Sequence, residues 1–165
     1  MLRFAPALAG LVLALATACS TAPAPQLAPQ YPPVPAGSNR AFSPFVKSNG
    51  LIFLAGQLGT DSTGRLVPGG IREETRQTMT NIRTLLERNG SSMDRVLKCT
   101  AFLADMAERQ AMSEVYVTFF PADRRPARTA AGANGLALDA RVEIECIAVS
   151  DQKPAGGQLS VDVGE

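Results

Sequence analysis

Two apolar stretches constrain this chain most. In Arg95 to Ala104, Leu97, Cys99, Ala101 and Leu103 share one side of an extended backbone. Val96 and Phe102 lie on the other side, with Lys98 and Thr100 between them. In Arg141 to Val149, Val142, Ile144, Cys146 and Ala148 share one side, and Glu143, Glu145, Ile147 and Val149 share the other. Side chains alternate with a period of two along a strand, so both stretches read as strands with two mainly apolar faces. A sheet built on them has to be covered on both sides.

The neighbouring patterns supply one cover. Phe45-Val46 and Leu51 to Ala55 read as strands, and the Asn49-Gly50 pair between them is a hairpin signal. Gly56-Gln57-Leu58-Gly59 follows, and Asp61 to Gly64 is a further turn. From Ile71 to Asn89 the period becomes helical, with Ile71, Thr75, Thr78, Met79, Ile82, Leu85 and Leu86 on one face and charges on the other. Gly90 stands where a helix C-cap is expected. Asp105 and Glu108 have capping-box spacing. The helix they open carries Met112, Val115, Tyr116, Phe119 and Phe120 on one face and closes at Pro121. The predicted order is β-β-α-β-α-β, an α+β sandwich with two helices on one sheet face; Leu159-Ser160-Val161 could add a short strand. Two helices cannot cover both faces, so the patterning predicts an oligomer.

The first stretch has a different character. Arg3 precedes an apolar run from Phe4 to Ala18, too short for an ordinary membrane span and patterned like a secretory signal. Leu15-Ala16-Thr17-Ala18-Cys19 resembles a bacterial lipobox, with Ala16 where leucine is commonest. That resemblance implies cleavage after residue 18 and lipidation of Cys19. With no aspartate after the cysteine, it implies export to the periplasmic face of the outer membrane, held by acyl chains alone. A plain signal peptide with an incidental Cys19 is the other reading. Residues 19–39 are uncharged and proline-rich, a tether that cannot pack a core. Residues 40–150 form the domain, and 151–165 read as a loose polar tail.

Composition narrows the chemistry. The chain has no histidine, which removes histidine triads, histidine metal sites and imidazole acid–base catalysis. Three separated cysteines cannot make a zinc site alone. The net charge of +1 gives no electrostatic case for a nucleic-acid partner. Arg124, Arg125 and Arg128 gather in what reads as a loop before a strand. They are either a solvated basic loop or a source of one guanidinium fork for a carboxylate or phosphate. Glu143 and Glu145 face the same way in an apolar strand. They are either ion-paired or at an edge, or one of them handles water. Gly56 marks a turn or a close approach. Cys99 and Cys146 are expected to be buried free thiols, although they could pair if their strands are neighbours in an oxidising compartment. Lys98 has no neighbour that argues for a Schiff base.

In order along the chain, Ser43-Pro44-Phe45, Ala55-Gly56-Gln57, Tyr116 to Phe120, Pro126-Ala127-Arg128-Thr129 and Val142 to Val149 resemble the RidA/YjgF family of reactive-intermediate deaminases. The resemblance covers about residues 40 to 150. It implies a chorismate-mutase-like fold in which three subunits join their sheets into a central barrel, with clefts between subunits. It implies hydrolysis of 2-imino or enamine acids, such as 2-aminoacrylate, to 2-oxo acids and ammonia, without a metal or organic cofactor. By the same resemblance Arg128 holds the substrate carboxylate and Glu143, fifteen residues on, positions or activates water. Gly56 lines the cleft through its backbone, and Thr129 adjoins the anchor. Phe45 stands where tyrosine is usual, Ala130 where cysteine is frequent, and Ser113 where several members have asparagine. Those departures bear on substrate range and rate.

Two other functions compete. A non-catalytic carboxylate-binding module of the cell envelope would keep Arg128 and not need Glu143. Ribonuclease activity, which some members of the family are reported to have, fits poorly with neutral charge and no histidine.

Overall fold

The computed structural model describes residues 28–151. The apolar leader, Cys19 and the stretch holding Leu159-Ser160-Val161 lie outside the described residues. Asn49 and Gly50, at φ 49° and 76°, join β1 (Phe45–Ser48) to β2 (Leu51–Leu54) as the two-residue turn that their sequence predicts. β3 (Gln57–Leu58) follows a break at Ala55 and Gly56. Upstream, Gln30 and Lys47 exchange backbone hydrogen bonds of 2.8 and 3.0 Å, so part of the proline-rich segment lies along β1.

Helix α1 (Gly70–Glu87) buries Ile71, Thr75, Thr78, Met79, Ile82 and Leu86, the face that the periodicity marks, with Leu85 half-buried beside it. Gly90 follows at φ 72°. One charge departs from the expected pattern: Glu74 is buried among the apolar residues. Its Oε2 accepts the backbone N–H of Arg141 at 2.8 Å, which makes the burial affordable. Helix α2 (Arg109–Tyr116) is preceded by a 3-10 turn, Met106–Glu108, that Asp105 caps by accepting the Ala107 N–H at 2.8 Å. The reciprocal half of the capping box is not made. Glu108 instead accepts from Arg141 Nη1 at 2.6 Å. A second 3-10 turn, Val117–Phe119, carries the chain to buried Phe120 and Pro121.

Strand β4 (Val96–Leu103) corrects the predicted alternation. Its register against β6 (Val142–Val149) slips between Val96 and Lys98, so Leu97 is the extra residue of a bulge. Val96 thereby joins the core side at 7% exposure, and Leu97 turns out at 49%. β5 (Ala127–Gly132) is a strand that apolar patterning does not mark. The Arg128 segment is therefore not a loop. It pairs in parallel with β4, which satisfies its backbone where Ala and Gly offer little strand propensity.

The sheet runs β1-β2-β6-β4-β5, with β3 also paired to β6; β4–β5 is the parallel pair. Both helices lie on one face. Ile52, Met79, Ile82, Leu86, Leu103, Met112 and Ile144 are fully buried between the layers, each worth about 1.5–3 kcal/mol of apolar burial. The other face presents Phe53, Phe102, Ile147 and Val149 with Lys98 and Glu145. A depression of about 160 Å³ lies there, lined by Phe53, Lys98, Thr100, Glu145 and Ile147. Phe53 is 40% exposed on this uncovered second apolar face.

Cys99 and Cys146 are not free thiols. They stand directly opposite on β4 and β6, Cα atoms 4.1 Å apart, and form a disulfide. The pattern of one strand does not say which strand lies beside it. Antiparallel pairing brings opposed residues this close at positions where the pair exchanges no backbone hydrogen bonds.

Candidate active site

Arg128 is the second residue of β5 and faces the helices, in register with Cys99. Its Nη2–H donates to Ser113 Oγ at 3.0 Å, and Nη1 lies 3.9 Å from Met112 Sδ. Its Cζ sits 4.8 Å from the Tyr116 ring centroid. Residues 112, 113 and 116 occupy one side of α2, as helical spacing requires. Among the described residues Arg128 has no carboxylate within ion-pair distance. A half-buried guanidinium with donors to spare is a site for a planar anion. Arg124 and Arg125 are exposed, so burial and contacts separate Arg128 from its neighbours where composition did not. Ala130 shares its side of β5 and packs on the core edge, while Thr129 turns to the open face.

Glu143 lies elsewhere. It alternates with fully buried Val142 and Ile144 on β6, so it faces away from the helices, half-buried. β6 is an interior strand, and neither Glu143 nor Glu145 forms an ion pair among the described residues. The two ordinary explanations for a carboxylate in an apolar strand, an edge or a partner, are therefore both removed. Glu143 lies against Gly56: a Cβ built on Gly56 would stand 2.9 Å from Glu143 Cγ and 2.7 Å from Cδ. Only glycine leaves room for that carboxylate. Gln57 fixes the same bend, its Nε2 donating to the Ala55 and Gly56 carbonyls at 3.0 and 3.2 Å.

Phe45 is at a third place. It opens β1, pairs with Leu54 of β2 and packs against the core margin. β1 and β5 are the two ends of the strand order, about 19 Å apart at ordinary strand spacing. The structure thus brings Arg128 to Ser113 and Glu143 to Gly56, and one chain does not bring these pairs or Phe45 together.

The sequence places Tyr116 on the apolar face of its helix and does not link it to Arg128. The clue available was its spacing from Ser113. Burial raises the Tyr116 hydroxyl from its ordinary 10.0 to about 12, partly offset by the Arg128 charge. Among the described residues no group of histidine, cysteine or acidic side chains could hold a metal ion, and no helix is long and apolar enough to cross a membrane.

Comparison with known proteins accounts for the fold. Residues 35–150 match the family model described as endoribonuclease L-PSP. The chain is 40% identical over 109 residues to the mouse 2-iminobutanoate/2-iminopropanoate deaminase, covering 66% of this chain and 80% of that protein. It is 38% identical over 108 residues to the chloroplastic Reactive Intermediate Deaminase A of Arabidopsis thaliana, covering 65% and 57%. Among solved structures, RidA of an Antarctic Psychrobacter superposes with a TM-score of 0.63 at 30% identity, covering 68% of this chain and 90% of that one. Yeast Mmf1 superposes at 0.64 with 30% identity, covering 73% and 93%. The mixed sheet backed by two helices is the fold of these neighbours, and the chain belongs to the endoribonuclease L-PSP, or RidA, family.

Proposed function

We propose that the domain hydrolyses 2-imino acids and their enamine tautomers to 2-oxo acids and ammonia. The observation that carries this reading is Arg128, seated by Ser113, Met112 and Tyr116 yet without a carboxylate partner among the described residues. In this reading Arg128 grips the substrate carboxylate bidentately. Glu143, beside Gly56, takes a proton from a water that adds to the C=N carbon and hands that proton to the nitrogen. In the tetrahedral adduct the C–N bond then breaks while the hydroxyl proton passes by way of Glu143 to the leaving nitrogen, which departs as ammonia and leaves the oxo group. An imine is already electrophilic, so orientation and one carboxylate base suffice for useful acceleration. Ala130, on the Arg128 side of β5, borders the substrate, whereas Thr129 of the same strand faces the other side of the sheet.

Arg128 and Glu143 face opposite sides of one sheet. The active form is accordingly a homotrimer in which the Arg128 side of one subunit meets the Gly56–Glu143 side of the next. The uncovered face with Phe53 and Ile147 supports burial against other copies.

In this reading the protein works outside the cytoplasm, tethered by lipid on Cys19. The Cys99–Cys146 disulfide supports an oxidising compartment independently of the leader. Replacing Cys19 with serine should release the protein from membranes; continued membrane association would sink the anchor.

The decisive experiment generates 2-imino acids with an amino-acid oxidase and traps the survivors with semicarbazide. Faster imine loss with the wild type, abolished by Arg128→Ala and by Glu143→Gln, is the expected result. Ligand binding that survives Glu143→Gln, with no imine loss even in the wild type, would instead establish a carboxylate-binding module.

A further inference from the structure

We propose that Tyr116 is a positioning residue for Arg128, its ring face holding the guanidinium in place before a carboxylate arrives. This rests on the reading of Arg128 as the anchor and says what keeps that anchor in geometry.

The observations converge on the ring. An arginine side chain has much rotamer freedom, and a free one loses affinity when ligand binding has to immobilise it. Arg128 is immobilised beforehand by three residues of one helix. The Met112 contact is a weak one through sulfur, and Ser113 engages a single Nη2 proton. Tyr116 offers a broad surface, with Cζ 4.8 Å above its centroid, inside the range of cation–π attraction. The ring is itself fixed. It is 2% exposed and packs on Phe120 with centroids 5.0 Å apart.

The hydroxyl is a separate matter. Tyr116 Oη is buried with no hydrogen-bond partner among the described residues. An unpartnered buried hydroxyl is a cost that phenylalanine would avoid. The part of Tyr116 that serves Arg128 is therefore its π face. A plain core residue at 116 would act by volume alone; a positioning residue of this kind acts by the electrostatics of its ring.

The test uses full-length protein carrying Tyr116→Phe, then ring-fluorinated phenylalanines of increasing fluorine number at position 116. These keep the shape and drain the π face. The readouts are Kd for 2-oxobutanoate by calorimetry, KM and kcat on oxidase-generated 2-iminobutanoate, and Tm. Tyr116→Phe should leave Kd within about twofold, and the fluorinated series should weaken Kd and raise KM stepwise, reaching about threefold to tenfold, at unchanged kcat and with Tm lowered by only a few degrees. A flat series overturns the proposal. So does loss of binding on Tyr116→Phe, which would assign the role to the hydroxyl. Graded binding without any turnover would sustain the positioning role and sink the deaminase; turnover with a flat series would do the reverse.

Discussion

Arg128 and Glu143 point to opposite faces of the same sheet, Arg128 toward α2 and Glu143 away from the helices. Fifteen positions of chain separate them, and the intervening turn brings β6 back against the other side of β4. In the proposed homotrimer a site that needs both takes one from each of two subunits. Co-refolding Arg128→Ala with Glu143→Gln in equal amounts should then restore activity that neither variant has alone. With random assembly and each site drawing one residue from each neighbour, about a quarter of the sites are intact. Zero recovery in mixed oligomers, with mixing checked by mass, would show that each chain supplies its own pair.

Gly56 leaves the Glu143 carboxylate its room. Gly56→Ala sets a methyl within 3 Å of Glu143 Cγ and Cδ, and the carboxylate has to move. The displaced atoms are side-chain atoms, so the fold should survive with an unchanged circular dichroism spectrum. The expected loss is in kcat, about 10-fold to 100-fold, the scale of a misplaced general base. Full activity in a folded Gly56→Ala protein would separate Glu143 from catalysis.

The disulfide closes a loop of 47 residues between Cys99 and Cys146. Loop-closure entropy alone corresponds to roughly 4 kcal/mol, and removing the bridge should lower Tm by about 10 °C or more. Thermal unfolding of Cys99→Ala/Cys146→Ala against the wild type measures it. Alkylation of the unfolded, unreduced wild type should find neither thiol. Two reactive thiols in protein taken from its native compartment would remove the structural support for an oxidising location.

Tyr116 contributes a pH dependence of known sign. Its hydroxyl is held at about 12 in the folded chain against an ordinary 10.0, so the folded state keeps its proton longer than the unfolded state does. The associated stability is fully present below pH 10 and is lost as pH rises toward 12, an amount of roughly 2–3 kcal/mol. Tyr116→Phe cannot ionise, so its stability should fall less steeply across that window. Denaturant melts of both proteins at pH 9 and pH 11 give the comparison; equal slopes would contradict the burial of the phenol.

Local signals account for much of this fold. Asn49-Gly50 specified its hairpin because few residue pairs tolerate two positive φ angles. The α1 face followed from residue period, and Asp105 capped its turn because its oxygen reaches an N–H two residues on. The family motif pointed to Arg128, Glu143, Gly56 and Ser113, and two pairs of these are in contact. What tertiary structure decided are relations between segments. The bulge that turned Leu97 outward depends on register against β6, and β5 is a strand because β4 supplies its hydrogen bonds. Cys99 meets Cys146 because their strands are neighbours. Glu74 is buried because Arg141 brings it a backbone N–H from far along the chain. The facing of Arg128 and Glu143 belongs to the same class. Side-chain parity is legible within one strand, but which face of the sheet that parity meets is set only when strands dock.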